Sequence, residues 1–386
     1  MKTRISHIII IAFLIRLVLL LIDTYLFTLP QGGADDRRFL GLAAELHTYS
    51  HYDFQLILGS GTYFFAFYGS LVYSLVGQNP FFLTFLNVIY GTLTVYYIYK
   101  GSLLLWENEA NAKIAAWIAT FFPQLAMVSA LFLREAPLAL LLSIGIYHLI
   151  RYWKYSYGPG LFVFIVTAII GTLLHSGTIF ALVGFLTGML LLNQEQRTKV
   201  RQWASKFAAL LLVVIALIYM SQTGYGMHKF GTESDDLIGG ISSHQESAAR
   251  GGAGYPAWLQ VSGTFTDAIL VPVRMIALLF SPLIPFLVRS PAHLVGVFDA
   301  LFYLFLAWNI YKYRHLFLQQ NRTAKLLLFV LLAMVLVYSL GTSNFGTAIR
   351  HRGKIAPILI TMFFSGRVLR KMQKEDEENQ LYYPDR

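Results

Sequence analysis

The sequence predicts an all-α polytopic membrane protein, and three observations carry that expectation. Of 386 residues, 56% are hydrophobic and only 13% charged, against about a quarter charged in soluble domains. Mean hydropathy is +0.58. Apolar runs of roughly 17 to 25 residues, each long enough to cross about 30 Å of hydrocarbon, recur from one end to the other. No stretch reads as a separate soluble domain, so 1–386 is expected to form one membrane domain.

The first run, 7–27, has the basic flank of a signal peptide, but its apolar part is too long and no small-residue cleavage site follows, so a retained helix is expected. Further spans are expected near 81–105, 114–133, 136–150, 161–175, 178–192, 207–221, 293–311, 326–341 and 354–369. That makes about ten crossings. Two more apolar stretches are read as interfacial or re-entrant. The stretch 62–77 is short and rich in aromatics and Gly, and 265–288 carries Pro272, Pro282, Pro285 and Arg274. A rival with twelve crossings stays open, in which a span at 265–288 would turn the basic loop "YKYRHLFLQQNRTAK" outward unless another element compensated. The excess of Lys and Arg on cytoplasmic loops argues against that topology.

With Lys2 and Arg4 on the cytoplasmic side, the polar groups sort by compartment. The loop 28–61 with "GGADDRR", Arg134 and Glu135, His175, the long loop 222–268, Arg274, and "GTAIRHRGK" at 346–354 all fall outside. Both termini fall inside. The net charge of +10 is spread over short loops that set orientation, so nucleic acid is not an expected partner. The absence of cysteine excludes disulfides and thiolate metal sites. No Walker loop, dinucleotide fingerprint, H-E-x-x-H or EF-hand loop occurs, so any chemistry is expected from carboxylates and bases at the outer face.

Arg350, His351, Arg352 and Lys354 are the sharpest case. Cations at the outer boundary of a membrane helix run against the inside bias, and clustered Arg, His and Lys suit a phosphate or pyrophosphate. The plainer alternative is a headgroup anchor that snorkels to the outer leaflet. Asp35 and Asp36 follow a Gly-Gly turn. Either one is expected to cap a helix through "RRFLGLAAELH", with Phe39, Leu42, Ala43 and Leu46 on one face, and the other carboxylate is then left for chemistry. Arg134 beside Glu135 reads equally as a neutralising pair at a helix end, and His175 as a packing residue. Arg16, inside the first span, is expected either near a lipid phosphate or against another helix.

A carboxylate beside phosphate-holding cations suits glycosyl transfer from a lipid-linked sugar, with the carboxylate as general base and the cations on the leaving phosphate. The order of motifs resembles that of GT-C glycosyltransferases, the polyprenyl-phosphate-sugar-dependent group that includes protein mannosyltransferases and aminoarabinose transferases. "DDRRFLGLA" is similar to that group's motif in the first outer loop. "YGSLVYSLVGQNPFF", "LNVIYGTLTVYYIY" and "IAAWIATFFPQLAMVSALFLREAPL" follow in the same order.

The resemblance covers roughly 1–192, taken as a GT-C-like module, with 193–386 as a variable half. It implies a GT-C-like helical bundle, Asp35 as catalytic base with Asp36 beside it, and Glu135 as the acidic residue of the second outer turn. Arg134, Glu135 and His175 would then position donor or acceptor, and Arg274, Arg350, His351, Arg352 and Lys354 would hold donor phosphate. No acidic motif secures a metal site, so no metal or other cofactor is expected to be required.

The expected activity is therefore a glycosyltransferase of the bacterial inner membrane, using a polyprenyl-phosphate- or pyrophosphate-linked donor at the extracytoplasmic face. Its acceptor would be a glycan or lipid-linked glycan in surface polysaccharide or glycolipid assembly. The second half also resembles membrane proteins of capsule and O-antigen clusters, which makes a repeat-unit polymerase the first alternative. A lipid-linked glycan flippase is the second.

Overall fold

A computed structural model describes residues 4–192, scattered positions between 200 and 214, and residues 254–259, 266–282, 291–316 and 321–370. The described residues are helical, with one isolated bridge pairing Gly254 with Asn344. Five helices are long and apolar enough to cross a membrane: α1 (Ile5–Tyr25), α5 (Pro80–Trp106), α8 (Glu135–Tyr155), α12 (Pro291–Lys312) and α13 (Arg322–Leu340). Shorter helices accompany them: α3 (Phe54–Gly59) and the apolar α4 (Gly61–Val76), α9 (Gly158–Leu174), α10 (Phe180–Leu191) after a 3-10 turn at Ser176–Ile179, and α11 (Thr266–Phe280). The chain is thus an all-α polytopic membrane protein. Most of the expected span 207–221, most of the loop 222–268 and the acidic tail lie outside the described residues.

α1 buries Ile8, Ala12, Arg16 and Leu20, one ridge of a helix at four-residue spacing, and turns Ile10, Leu14, Val18 and Leu21 outward. Its 21 residues extend about 32 Å, enough for the hydrocarbon. The buried ridge lies on α5 and on α6 (Glu109–Phe121). α5 starts at Pro80 behind an Asn79 cap, whose side chain accepts the Phe81 amide, and stops at Glu107 in the left-handed region.

The expected helix 114–133 is broken. α6 ends at Phe121, and α7 (Pro123–Val128) restarts at a proline. Pro123 has no N–H to give the carbonyl of Ala119, four residues back, so that acceptor is orphaned inside an apolar bundle. Arg16 supplies the missing donor: Nη2 bonds the Ala119 carbonyl at 3.2 Å, while Nη1 bonds Ala12 at 3.0 Å. This settles Arg16 against a neighbouring helix. The guanidinium fits because residue 91 is Gly, where a Cβ would sit 2.8 Å from Arg16 Nε and would collide with Ser129.

The helix expected over 354–369 begins nine residues earlier, as α14 (Phe345–Met362). Asn344 caps it by accepting the Thr347 amide at 2.7 Å, a start signal outweighed in the sequence by the charged run that follows. α14 is central. It packs on α5, α6, α7, α8, α11, α12 and α13, and every residue from His351 to Met362 is buried.

Cross-links sort the bundle into two ends. At one, Leu105, Glu107, Asn111, Lys154, Asn309, Asn321 and residues 363–365 meet. At the other, Gln31 meets Gln124, Arg134 meets Leu174, Thr178 meets Tyr338, and Tyr255 meets Ser343. The polar residues expected on the outer side gather at this second end.

Candidate active site

The first carboxylates stand at the start of α2 (Asp35–His47). Gln31 (φ 78°) and Gly33 (φ 83°) turn the chain in left-handed conformations, and Gly33 takes its place without the Cβ penalty. The cap is Ala34, which corrects the expectation that an aspartate caps the helix: Asp35 and Asp36 are its first two helical residues. Asp36 instead reaches back, accepting the Ala34 amide at 2.9 Å, and is buried. Phe39, Ala43 and Leu46 are buried below it and Leu42 is half-buried. The two adjacent carboxylates are therefore unequal. Asp36 closes the turn, whereas Asp35, its side chain 40% exposed, reaches across to Arg350 on α14 and forms an ion pair. Arg37 and Arg38 are exposed, and Arg37 bonds Thr28 Oγ1 at 3.3 Å.

The second acidic position opens α8. Asn87 on α5 donates to the carbonyls of Leu131 (2.6 Å) and Leu133 (2.9 Å), fixing the turn that delivers Arg134 and Glu135. Glu135 is buried, with Oε1 3.7 Å from Lys354 Nζ and no hydrogen bond to Oε2 among the described residues. Lys354, Arg350 and Arg134 all act on it electrostatically. Arg134 donates to the Leu174 carbonyl at 3.2 Å and lies over the Phe39 ring.

Behind this pair sits an aromatic cluster. The His175 and His351 rings meet edge to face at 5.1 Å, and both contact Tyr338. His351 Nδ1 is 2.8 Å from Thr342 Oγ1, Tyr338 hydroxyl approaches Thr178, and Lys354 Nζ lies over the Tyr338 ring. A reciprocal amide pair, Gln31 with Gln124, joins the turn before α2 to α7.

The four basic residues grouped in the sequence divide in the structure. Arg350 and Lys354, one turn apart, each meet a carboxylate from another element. Arg352 points elsewhere. Fully buried, it bonds Asp299 on α12 at 2.7 Å through Nε, and the carbonyls of Leu279, Ser281 and Gly296 through its other nitrogens, so four of its five N–H donors are engaged inside the protein. Arg274 is also buried, with Nε on the Leu259 carbonyl at 2.8 Å. Tyr255 packs on Phe345 nearby. Burial pushes its phenol up to about 12, against the opposing pull of a Ser281 hydrogen bond and the Arg352 charge, so it stays protonated at neutral pH.

The structure thus brings Asp35, Arg350, Glu135, Lys354, Arg134, His351 and His175 to one end, and sets Arg352 and Arg274 in the packing between α11, α12, α14 and the 254–259 segment. Asn87, Tyr338, Asp299 and the Gln31–Gln124 pair were not singled out from the sequence. A carboxylate in the middle of an apolar span, as in "GVFDALFY", was the available signal for Asp299, since such a group needs a buried partner. Among the described residues, no group of three His, Asp or Glu is placed to hold a metal ion.

Residues 61–223 match a family described as dolichyl-phosphate-mannose-protein mannosyltransferase. The match supports a membrane glycosyltransferase of the GT-C type. It begins after α2, so Asp35 and Asp36 lie outside it. No curated protein matches the chain.

Proposed function

We propose that this chain is a GT-C-type membrane glycosyltransferase that takes its sugar from a polyprenyl-phosphate- or pyrophosphate-linked donor. The reaction would run at the extracytoplasmic face of a bacterial inner membrane, in surface polysaccharide or glycolipid assembly. The observation that carries the reading is the meeting of two carboxylates, Asp35 and Glu135, with two cations on one face of α14, Arg350 and Lys354. The match to a family named for a polyprenyl-phosphate sugar supports the donor class. A lipid-anchored donor needs no nucleotide-binding domain, in keeping with a chain that reads as membrane helices throughout.

In this mechanism Asp35 accepts the proton of the acceptor hydroxyl as its oxygen attacks the anomeric carbon. The bond from that carbon to the phosphate oxygen breaks, and Arg350 and Lys354 neutralise the charge on the departing lipid phosphate. Glu135 keeps Lys354 in place, and Arg134, His351 and His175 line the approach. Arg352 and Arg274 hold α14 and α11, since Arg352 gives four donors to the protein itself and Arg274 gives its Nε to the Leu259 carbonyl.

The test is transfer by purified protein in lipid, supplied with polyprenyl-linked glycans and followed by mass spectrometry. Wild type should add one sugar, and Asp35→Asn should lower turnover by about 10²- to 10⁴-fold, the range of general-base catalysis. Wild-type turnover in the variant would remove Asp35 from the mechanism. A ladder of repeat units would move the activity to polymerisation.

A further inference from the structure

The Asp35–Arg350 pair sets the candidate base against a candidate phosphate ligand, and both cannot serve at once in the arrangement seen. Arg350 gives Nη1 to Asp35 Oδ2. While it does, that oxygen faces a guanidinium and not an acceptor hydroxyl. We propose that Arg350 is a shared ligand, held by Asp35 in the free enzyme and captured by the donor's lipid phosphate on binding, so that donor arrival releases the base. The inference rests on the functional reading above and adds an order of events to it.

Four features favour exchange over a permanent pair. The Arg350 and Asp35 side chains are 24% and 40% exposed, so a ligand can reach them, whereas both members of the Arg352–Asp299 pair are at 0%. A guanidinium has a planar fork of donors that fits phosphate through two parallel bonds, so a phosphate of higher charge competes well with a carboxylate held through one nitrogen. Lys354, buried and paired with Glu135, lies one helical turn further along α14, so a phosphate drawn to Arg350 comes under the field of a second positive charge without any movement of the helix. Asp35, in contrast, stands at the first position of a short helix behind a glycine turn, and needs only a side-chain rotation to face a different partner.

Exchange has a consequence that a simple base would not produce. Removing the Asp35 charge removes a competitor, so the variant that loses transfer should bind the lipid phosphate more tightly. The measurement is binding of C55 polyprenyl phosphate, without sugar, to wild type, Asp35→Asn, Arg350→Gln and the double variant, in detergent or nanodiscs.

Asp35→Asn is expected to gain about fivefold in affinity, the upper end for a partly exposed ion pair. Arg350→Gln should lose affinity, and adding Asp35→Asn to it should change nothing further. Asp35→Ala, which removes the same charge, should repeat the gain and covers the case in which Asn does not fold. Equal or weaker binding by both Asp35 variants, with wild type binding normally, would overturn the exchange and leave the donor class intact. Failure of wild type to bind would overturn both.

Discussion

The two ends of the bundle solve the same problem with different chemistry. At the end away from the candidate site, neutral amides tie the helices. Asn111 donates to the Phe363 carbonyl at 2.9 Å and accepts the Ser365 amide, Asn309 exchanges two bonds with Phe364, and Asn321 donates to Leu105. The ion pairs there, Lys113–Glu109 and Lys154–Glu107, have glutamates more than half exposed. At the site end, charged pairs join elements far apart in sequence and are partly or wholly buried. Amides suffice to stop frayed helix ends, so the charges at the other end exceed what folding asks for. Arg352–Asp299 shows what a charge used for folding looks like when four of its donors are engaged in the interior, whereas Arg350 and Asp35 pair at a partly exposed position.

The sharpest way to break that contrast is Arg352→Ala. It strands Asp299 in the interior and should cost about 3–5 kcal/mol, read as a lower thermal midpoint or loss of the monodisperse peak in detergent. The double variant Arg352→Met with Asp299→Leu, which removes both charges, should recover most of that loss. A stable Arg352→Ala protein with weakened donor binding would return Arg352 to the site.

At the opposite end, Asn111→Ala leaves a buried carbonyl and amide without partners. It should cost about 1–3 kcal/mol while kcat/KM of the folded fraction stays at the wild-type level. A selective loss of activity at unchanged stability would show that the two ends are coupled.

The smallest effect is expected at Glu107, whose carboxyl is held below its ordinary value by the hydrogen bond and charge of Lys154. A lowered folded-state value contributes stability above the unfolded value, near 4.5, and loses it as pH falls further. Glu107→Gln should therefore lower the thermal midpoint at pH 7 by an amount equivalent to well under about 1 kcal/mol, and the difference should shrink steadily as pH falls below the unfolded value. A difference that persists in acid would mean that the side chain packs and does not merely pair.

Much of the fold was legible because apolar run length is close to a direct reading of span length. α5, α12 and α13 lie within a few residues of 81–105, 293–311 and 326–341, and α8 extends 136–150 by one residue at its start and five at its end. The departures have local causes. Pro123 breaks a run whose composition is unbroken, and Asn344 starts α14 inside a segment whose charges suggested a surface turn. The site was legible as a set of residues at one end, since sidedness follows from alternation along the chain. Its internal division was not. Nothing in "IRHRGK" distinguishes Arg350 from Arg352 until helical geometry sends one toward α2 and the other toward α12. Likewise "DD" does not disclose which carboxylate turns back on its own backbone.

Arg16 carries a consequence for how the protein is made. An arginine near the centre of a membrane helix opposes insertion by roughly 2.5–3.5 kcal/mol, a penalty the rest of so apolar a helix readily offsets. Hydrophobicity therefore places α1 in the bilayer, but the guanidinium recognises one carbonyl, that of Ala119, left open by a proline more than a hundred residues later. α1, synthesised before its partner, thus waits in the membrane with an unmet donor until α6 and α7 arrive. An unrelated apolar helix in its place would insert as well or better, yet would leave the break at Pro123 unsealed. The identity of this helix is written in the one charge at its centre.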